Sequence, residues 1–384
     1  MFKSSILNLI FKRYKILYVQ SLCTQAQPLE RLETFRTTEN NPVNHSDDHT
    51  GQYYRITPKV KKQLYLYGGI PKSYEMQLTT FTESCLMIRQ PSIDIIKYLK
   101  KIDYSNPVVR FVLYGKKGSG KSLSMAHLLH YAFEEGFLLV HVPWVGNWMR
   151  NYKERSNSEF KPGSIDLNLD AAAWLVHFKH QNSHLLSNEN LRVTKDYVWS
   201  KRETTTKDAP LLELVEHGIN RVKFASQTIG ALAEEIKQLS SEGKCKSFVA
   251  IDGFNALFYP HTRVLTDKKK VVPPSMVTIT EPFLNLTRFD WKNGIVVVTV
   301  DELAIAEKDQ ICHLPRYLLG KEGFEHLDPF IPISVEPYSN KEFQSCMDYY
   351  RERRWVQPLD GQDEELQYIS GMNPYRLMKL CNGL

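Results

Sequence analysis

Gly115, Gly118, Gly120, Lys121 and Ser122 close the spacing G-x-x-x-x-G-K-S over residues 115–122. That spacing suits one chemistry, the holding of phosphate. Glycine takes backbone conformations closed to other residues, so successive N–H groups can turn inward as an anion nest. A helix opening at Lys121 adds the positive end of its dipole to the same anion. The expected phosphate-binding residues are Gly115, Lys117, Gly118, Ser119, Gly120, Lys121, Ser122 and Leu123. Lys121 should reach the β- and γ-phosphates of a nucleoside triphosphate as a point charge, and Ser122 should ligate Mg²⁺ through its hydroxyl.

Such a loop works only if a strand delivers it and a helix leaves it. Residues 108–114 are a β-branched and aromatic run that reads as a strand. After the loop, Leu123, Ala126, Leu129, His130 and Phe133 recur at helical spacing. Strand, loop, helix is the context that confirms a Walker A loop over a ligand-free glycine turn.

Further apolar runs supply the rest of a sheet. Residues 137–142 read as a second buried strand ended by Pro143, and 247–251 as a third that closes on Asp252. Asp252 is then a Walker B carboxylate, placed beside the Mg²⁺ that Ser122 would hold. Residues 294–300 form a fourth strand, with Thr299 and Asp301 where related ATPases carry a polar sensor facing the γ-phosphate. Residues 330–335 form a fifth, and Pro332 puts it at an edge because proline cannot donate to a ladder. Five apolar strands separated by helical segments predict an α/β fold, a five-stranded parallel sheet with helices on both faces. The motif set places it among P-loop NTPases of the AAA+/ASCE type.

The residues after Asp252 bear on turnover. Efficient hydrolytic members of this class place a glutamate next, to polarise the attacking water. Here Gly253, Phe254 and Asn255 follow. Slow or absent hydrolysis is expected, with nucleotide as a structural or switching ligand. The base is not readable from the residues: a guanine-reading N-K-x-D run begins at Asn340 and Lys341 but fails at Phe343, and a helix cap explains it better. Near the end, Pro374 sits in a turn of the kind that lies over the base in AAA+ proteins, and Arg376 is a candidate γ-phosphate sensor.

About a hundred residues separate the second strand from the third, more than one crossover helix needs. Leu211, Val215, Ile219, Val222, Ile229, Leu232, Ile236 and Leu239 keep a helical period there, so a long helical insertion is expected over 144–246. Trp174 and Phe178, four apart, read as core packing. Trp199, Lys201 and Arg202 are either a phosphate or RNA contact or a solvated turn. The lysines at 268–270, and Arg351, Arg353 and Arg354 beside Trp355, pose the same alternative.

Composition sets the outer bounds. Over 384 residues, hydrophobic residues at 42% and charged residues at 24% allow a sizeable core, and a net charge of +6 permits RNA without demanding it. The six cysteines are scattered with no C-x-x-C pair, which argues for reduced thiols over a zinc site or disulfide scaffold. No apolar run approaches the ~20 residues that cross a bilayer, so no membrane insertion is expected. From Met1 to Leu29 there is no acidic residue, while Lys3, Lys12, Arg13 and Lys15 are basic and the apolar residues recur at helical spacing. That is the character of a mitochondrial transit peptide. The predicted division is a leader over 1–29, a polar, disordered linker over 30–52, and an N-terminal extension over 53–107. A nucleotide-binding domain over 108–335 and a small C-terminal helical region over 336–384 follow.

Beyond the loop, several stretches resemble the death-associated proteins of the mitochondrial small ribosomal subunit, a family of P-loop GTP-binding proteins. They lie at 80–89, 197–203, 251–257, 319–324 and 327–333, and the resemblance runs from about Tyr53 to the C-terminus. It implies a guanine nucleotide, GTP or GDP, with Mg²⁺. It implies a component of the small-subunit head, in the mitochondrial matrix, that contacts rRNA, neighbouring ribosomal proteins and the large subunit. It also implies that the segment around Met87 approaches the base. The competing functions are a free mitochondrial P-loop NTPase switch and an apoptotic signalling adaptor.

Overall fold

The computed structural model describes residues 35–382, so the leader expected over 1–29 lies outside them. Five strands, β1 (Val109–Tyr114), β2 (Leu138–Val142), β3 (Ser247–Ile251), β4 (Gly294–Thr299) and β5 (Ile331–Ser334), pair in the order β5-β1-β4-β3-β2. Every pairing is parallel. Their Val, Ile, Leu and Phe content suits a pleated surface covered on both faces, and β2, β3 and β4 are buried along their whole length. Pro332 falls on β5, the edge strand beside β1.

Side-chain alternation divides the core into two layers. Val112, Val140, Val249, Ile251, Val296 and Val298 face the insertion. Phe111, Leu113, Leu139, Phe248, Ala250, Ile295 and Val297 face the helix Lys121–Glu134 and the helix Gln90–Leu99. Register decides where the chemistry emerges: Thr299 pairs Leu113, and Val298 pairs Ile251. The C-terminal ends of β1, β3 and β4 therefore deliver Gly115, Asp252 and Asp301 to one edge of the sheet.

The insertion carries the expected helices, Asn168–Gln181, Leu211–Asn220 and Ala225–Ser241, but it is not helical throughout. It also contains an antiparallel pair, Tyr197–Ser200 with Glu203–Thr205. Trp199 is buried there: its Nε1 donates to Thr205 Oγ1 at 2.9 Å and its ring stacks on His217, while Lys201 and Arg202 are exposed at the turn. Trp174 and Phe178 stack at 5.6 Å in the core.

The polar stretch expected as a disordered linker over 30–52 is ordered from Phe35 onward. Phe35 and His45 are buried, and 3₁₀ turns form at Pro42–Asn44 and Asp47–His49. His45 Nδ1 lies 2.9 Å from His127 Nε2 on the helix Lys121–Glu134. Hydropathy missed this segment because both nitrogens of the buried His45 find partners, His127 Nε2 and Glu39 O, the latter at 3.1 Å.

A third core joins the two ends of the described chain. Phe35, Tyr53, Phe81 and Cys85 pack with Phe343, Cys346, Tyr349, Tyr350, Leu377 and Cys381. The basic cluster at 351–355 belongs to this core. Arg351 pairs with Asp363, Arg353 lies 3.2 Å from Glu83, and Trp355 packs edge-on against Phe81 and Tyr350. Arg351 and Arg353 are thus paired within the protein, whereas Arg354 and the lysines at 268–270 are exposed.

Candidate nucleotide site

The loop 115–122 joins β1 to the helix Lys121–Glu134. Gly120 is the N-cap residue and offers no side chain, so no capping oxygen covers the first-turn amides. Gly118 sits at φ +80°, and a Cβ there would meet Tyr375 Cβ at 2.7 Å. The loop is held from behind as well. Arg89, buried, donates from Nη1 to Ser119 O at 2.5 Å and from Nε to Glu342 Oε1 at 3.0 Å. Asn373 Nδ2 donates to Lys117 O at 2.9 Å, and Tyr375 N to Gly118 O at 3.2 Å. Glu342 completes a capping box with Ser339, which is the use made of the incomplete N-K-x-D run.

Lys121, 3% exposed, donates from Nζ to Gly115 O at 2.8 Å and pairs with Asp301 Oδ2 at 2.9 Å. Ser122 Oγ donates to Asp252 Oδ2 at 2.6 Å. Thr299, expected to face a γ-phosphate, gives its hydroxyl hydrogen to Asp252 Oδ1 and accepts from Gly253 N at 2.8 Å. It positions the carboxylate. Burial pushes the Asp252 carboxyl up to about 6 against the hydrogen bonds from Ser122 and Thr299. A buried carboxylate beside a hydroxyl is an oxygen donor set suited to Mg²⁺, which keeps several waters and takes few protein ligands. The residues fit the metal.

A cavity of about 390 Å³ opens on this loop. Lys117, Gly118, Gly120, Lys121, Ser122 and Leu123 line it, with Asp301 and Leu303 beyond β4. Tyr53, Pro71, Tyr74 and Gln77 wall it from the N-terminal extension, and Tyr338, Tyr350, Pro374, Tyr375 and Met378 from the C-terminal region. The volume lies within the range of small-molecule sites, and its mixture of glycine-rich loop and aromatic wall suits a nucleotide. Larger hollows elsewhere, such as the one of about 760 Å³ beside Arg55 and Lys62, have no such loop.

Two sequence candidates are not on this wall. Met87 packs against the third core, and it is Tyr53, its partner across the short ladder, that lines the cavity. Arg376 is exposed, because the helix Pro374–Cys381 turns Tyr375 and Met378 inward. Sequence reasoning gave Arg89, Asn373 and Gln77 no role in the site. Their partners at the site are distant in the chain, and only Asn373, the cap of the helix Pro374–Cys381, carries a local signal.

Strand order and loop together define a P-loop NTPase fold of the ASCE type, in which a strand (here β4) stands between the Walker A and Walker B strands. Residues 86–380 match the family described as mitochondrial ribosomal death-associated protein 3. The small ribosomal subunit protein mS29 of Bos taurus is 39% identical, over 92% of this chain and 89% of that protein. The Mus musculus protein of the same name is 36% identical, over 95% and 94%. A Walker-type ATPase of Pyrococcus abyssi is similar at 15% identity and a TM-score of 0.39, covering 76% of this chain and 65% of that one. The chain belongs to the mitochondrial ribosomal death-associated protein 3 family, and its location is the mitochondrion.

Proposed function

We propose that this chain is a component of the small subunit of the mitochondrial ribosome, and that it holds a guanine nucleotide with Mg²⁺ in the cavity over the loop 115–122. Its partners are then the small-subunit rRNA, neighbouring ribosomal proteins and the large subunit, in support of mitochondrial translation. The observation that carries the nucleotide is the convergence of Lys121 with the Ser122–Asp252 pair at a cavity of ligand size. Family membership supports the ribosomal part, and the choice of guanine rests on the resemblance drawn from the sequence.

The residues divide the work. Backbone amides of 118–123 and Lys121 take the phosphates, and Ser122 and Asp252 hold the metal. Mg²⁺ would neutralise phosphate charge there. Tyr53, Tyr74, Tyr350, Pro374 and Tyr375 exclude water around the base and sugar. Hydrolysis is slow or absent, because the position after Asp252 has no room for a carboxylate. Gly253 has φ +73°, and a Cβ on it would meet the Trp144 ring at 2.6 Å.

Sedimentation of the endogenous protein in a mitochondrial lysate, at magnesium levels that separate the subunits, tests the assembly. Co-migration with the small subunit is the expected result; migration only at the top of the gradient would favour a free switch or adaptor. The nucleotide is tested by Lys121→Ala. At 100 times its dissociation constant, GDP should stabilise the native chain by about 2.7 kcal/mol and the variant by far less. A turnover above about 1 per second, typical of an enzyme, would contradict the slow-hydrolysis reading.

A further inference from the structure

We propose that Gln77 selects the base, its side-chain amide donating to the 6-oxo group of a guanine; this rests on the nucleotide reading above. Gln77 lies on the helix Lys72–Thr80, is 3% exposed and lines the cavity. Its Oε1 accepts from Tyr350 OH at 3.4 Å, which leaves Nε2 as the other end of the amide. That Nε2 is buried and has no hydrogen-bond partner. An unmet buried donor is costly, so a native fold seldom keeps one unless something else supplies the acceptor.

The neighbouring walls offer little competition. Tyr74 OH donates to Cys85 O at 2.8 Å, and the Tyr53 and Tyr338 hydroxyls bond to each other. Gln77 is thus the buried polar group on these walls with a donor to spare. Guanine presents an acceptor at position 6, and adenine presents an amino donor there. Nε2 carries hydrogens only, so it matches the first and opposes the second. Phosphate contacts at Lys121 and Ser122 are common to both nucleotides and carry no such preference.

The test is calorimetric binding of GDP, ADP and the diphosphate of 2-aminopurine riboside, which lacks the 6-oxo group and the N1 hydrogen of guanosine diphosphate, to the full chain with Mg²⁺. The native chain should prefer GDP over both others by about tenfold or more. Gln77→Leu should bring GDP down to the level of the 2-aminopurine nucleotide. Gln77→Glu, which replaces the donor by an acceptor, should turn the preference toward ADP. Comparing nucleotides on the native chain needs no variant to fold. Equal binding of GDP and the 2-aminopurine nucleotide by the native chain would overturn the role of Gln77 and leave nucleotide binding intact. So would an unchanged preference in both folded variants. No binding of any of the three would overturn the nucleotide reading and this inference together.

Discussion

Lys121 Nζ lies 2.9 Å from Asp301 Oδ2, and the next residue, Glu302, accepts from Lys117 N at 3.0 Å through Oε2. Two successive carboxylates after β4 thus meet the two positive features that phosphates would use. Asn255 clamps the segment from below, donating to Asp301 O and accepting from Asp301 N, both at 3.0 Å.

Asp301→Asn should therefore lower the stability of the nucleotide-free chain, by about 3 kcal/mol, because Lys121 is left as a buried charge without its partner. It should also tighten GDP, since the competing carboxylate is gone. Melting with and without GDP checks both: the deficit should shrink at saturating nucleotide.

Asp252→Asn should do the opposite. The rise of the Asp252 carboxyl from 3.8 to about 6 reflects the cost of burying its charge. A raised folded value means stability that is full below pH 3.8 and lost as pH climbs through 6. A neutral amide escapes that cost, so the nucleotide-free variant should gain up to about 3 kcal/mol at pH 7.5. Its Mg²⁺-dependent affinity for GDP should fall, which calorimetry with and without Mg²⁺ reads directly.

Arg89 ties three distant segments together through Ser119 O, Glu342 and Glu336 O, the last at 2.9 Å. Arg89→Ala should cost about 3–5 kcal/mol, because it strands a buried carboxylate. Adding Glu342→Gln to that variant should recover part of the loss. Urea unfolding of the two single variants and the double gives the coupling, and simple additivity would contradict it.

Acid should loosen the N-terminal segment from the helix Lys121–Glu134. Burial lowers His45 and His130 from 6.5 to about 4, and His127 well below 6.5. The unfolded chain takes up these protons near pH 6.5 and the folded chain only near 4 or below. Their stability is therefore full above pH 6.5 and lost as pH falls toward 4. The melting temperature of the nucleotide-free chain should be flat from pH 8 to 7 and decline below 6.5. His45→Gln, which cannot protonate, should make the decline shallower.

The sequence by itself determined the elements whose chemistry is local. The strand, loop and helix around 115–122 are legible because their signals are neighbours in the chain, and the sheet because strands buried on both faces need unbroken apolar runs. Each of the five strands falls within two residues of its apolar run. Even the missing carboxylate after Asp252 is readable, although its reason, the Trp144 ring against Gly253, is not.

Only the tertiary structure decided what stands opposite the loop. Arg89 is 30 residues from Ser119 and 253 from Glu342, and Gln77 is 273 from Tyr350. The order β5-β1-β4-β3-β2 follows from packing and register, and it brings Asp301 to Lys121. The segment after Phe35 looks like a linker because its residues are polar, yet His45 is buried in it with both ring nitrogens partnered. Hydropathy reports the cost of desolvation but not whether a partner will be there to offset it, and that partner is supplied by the fold.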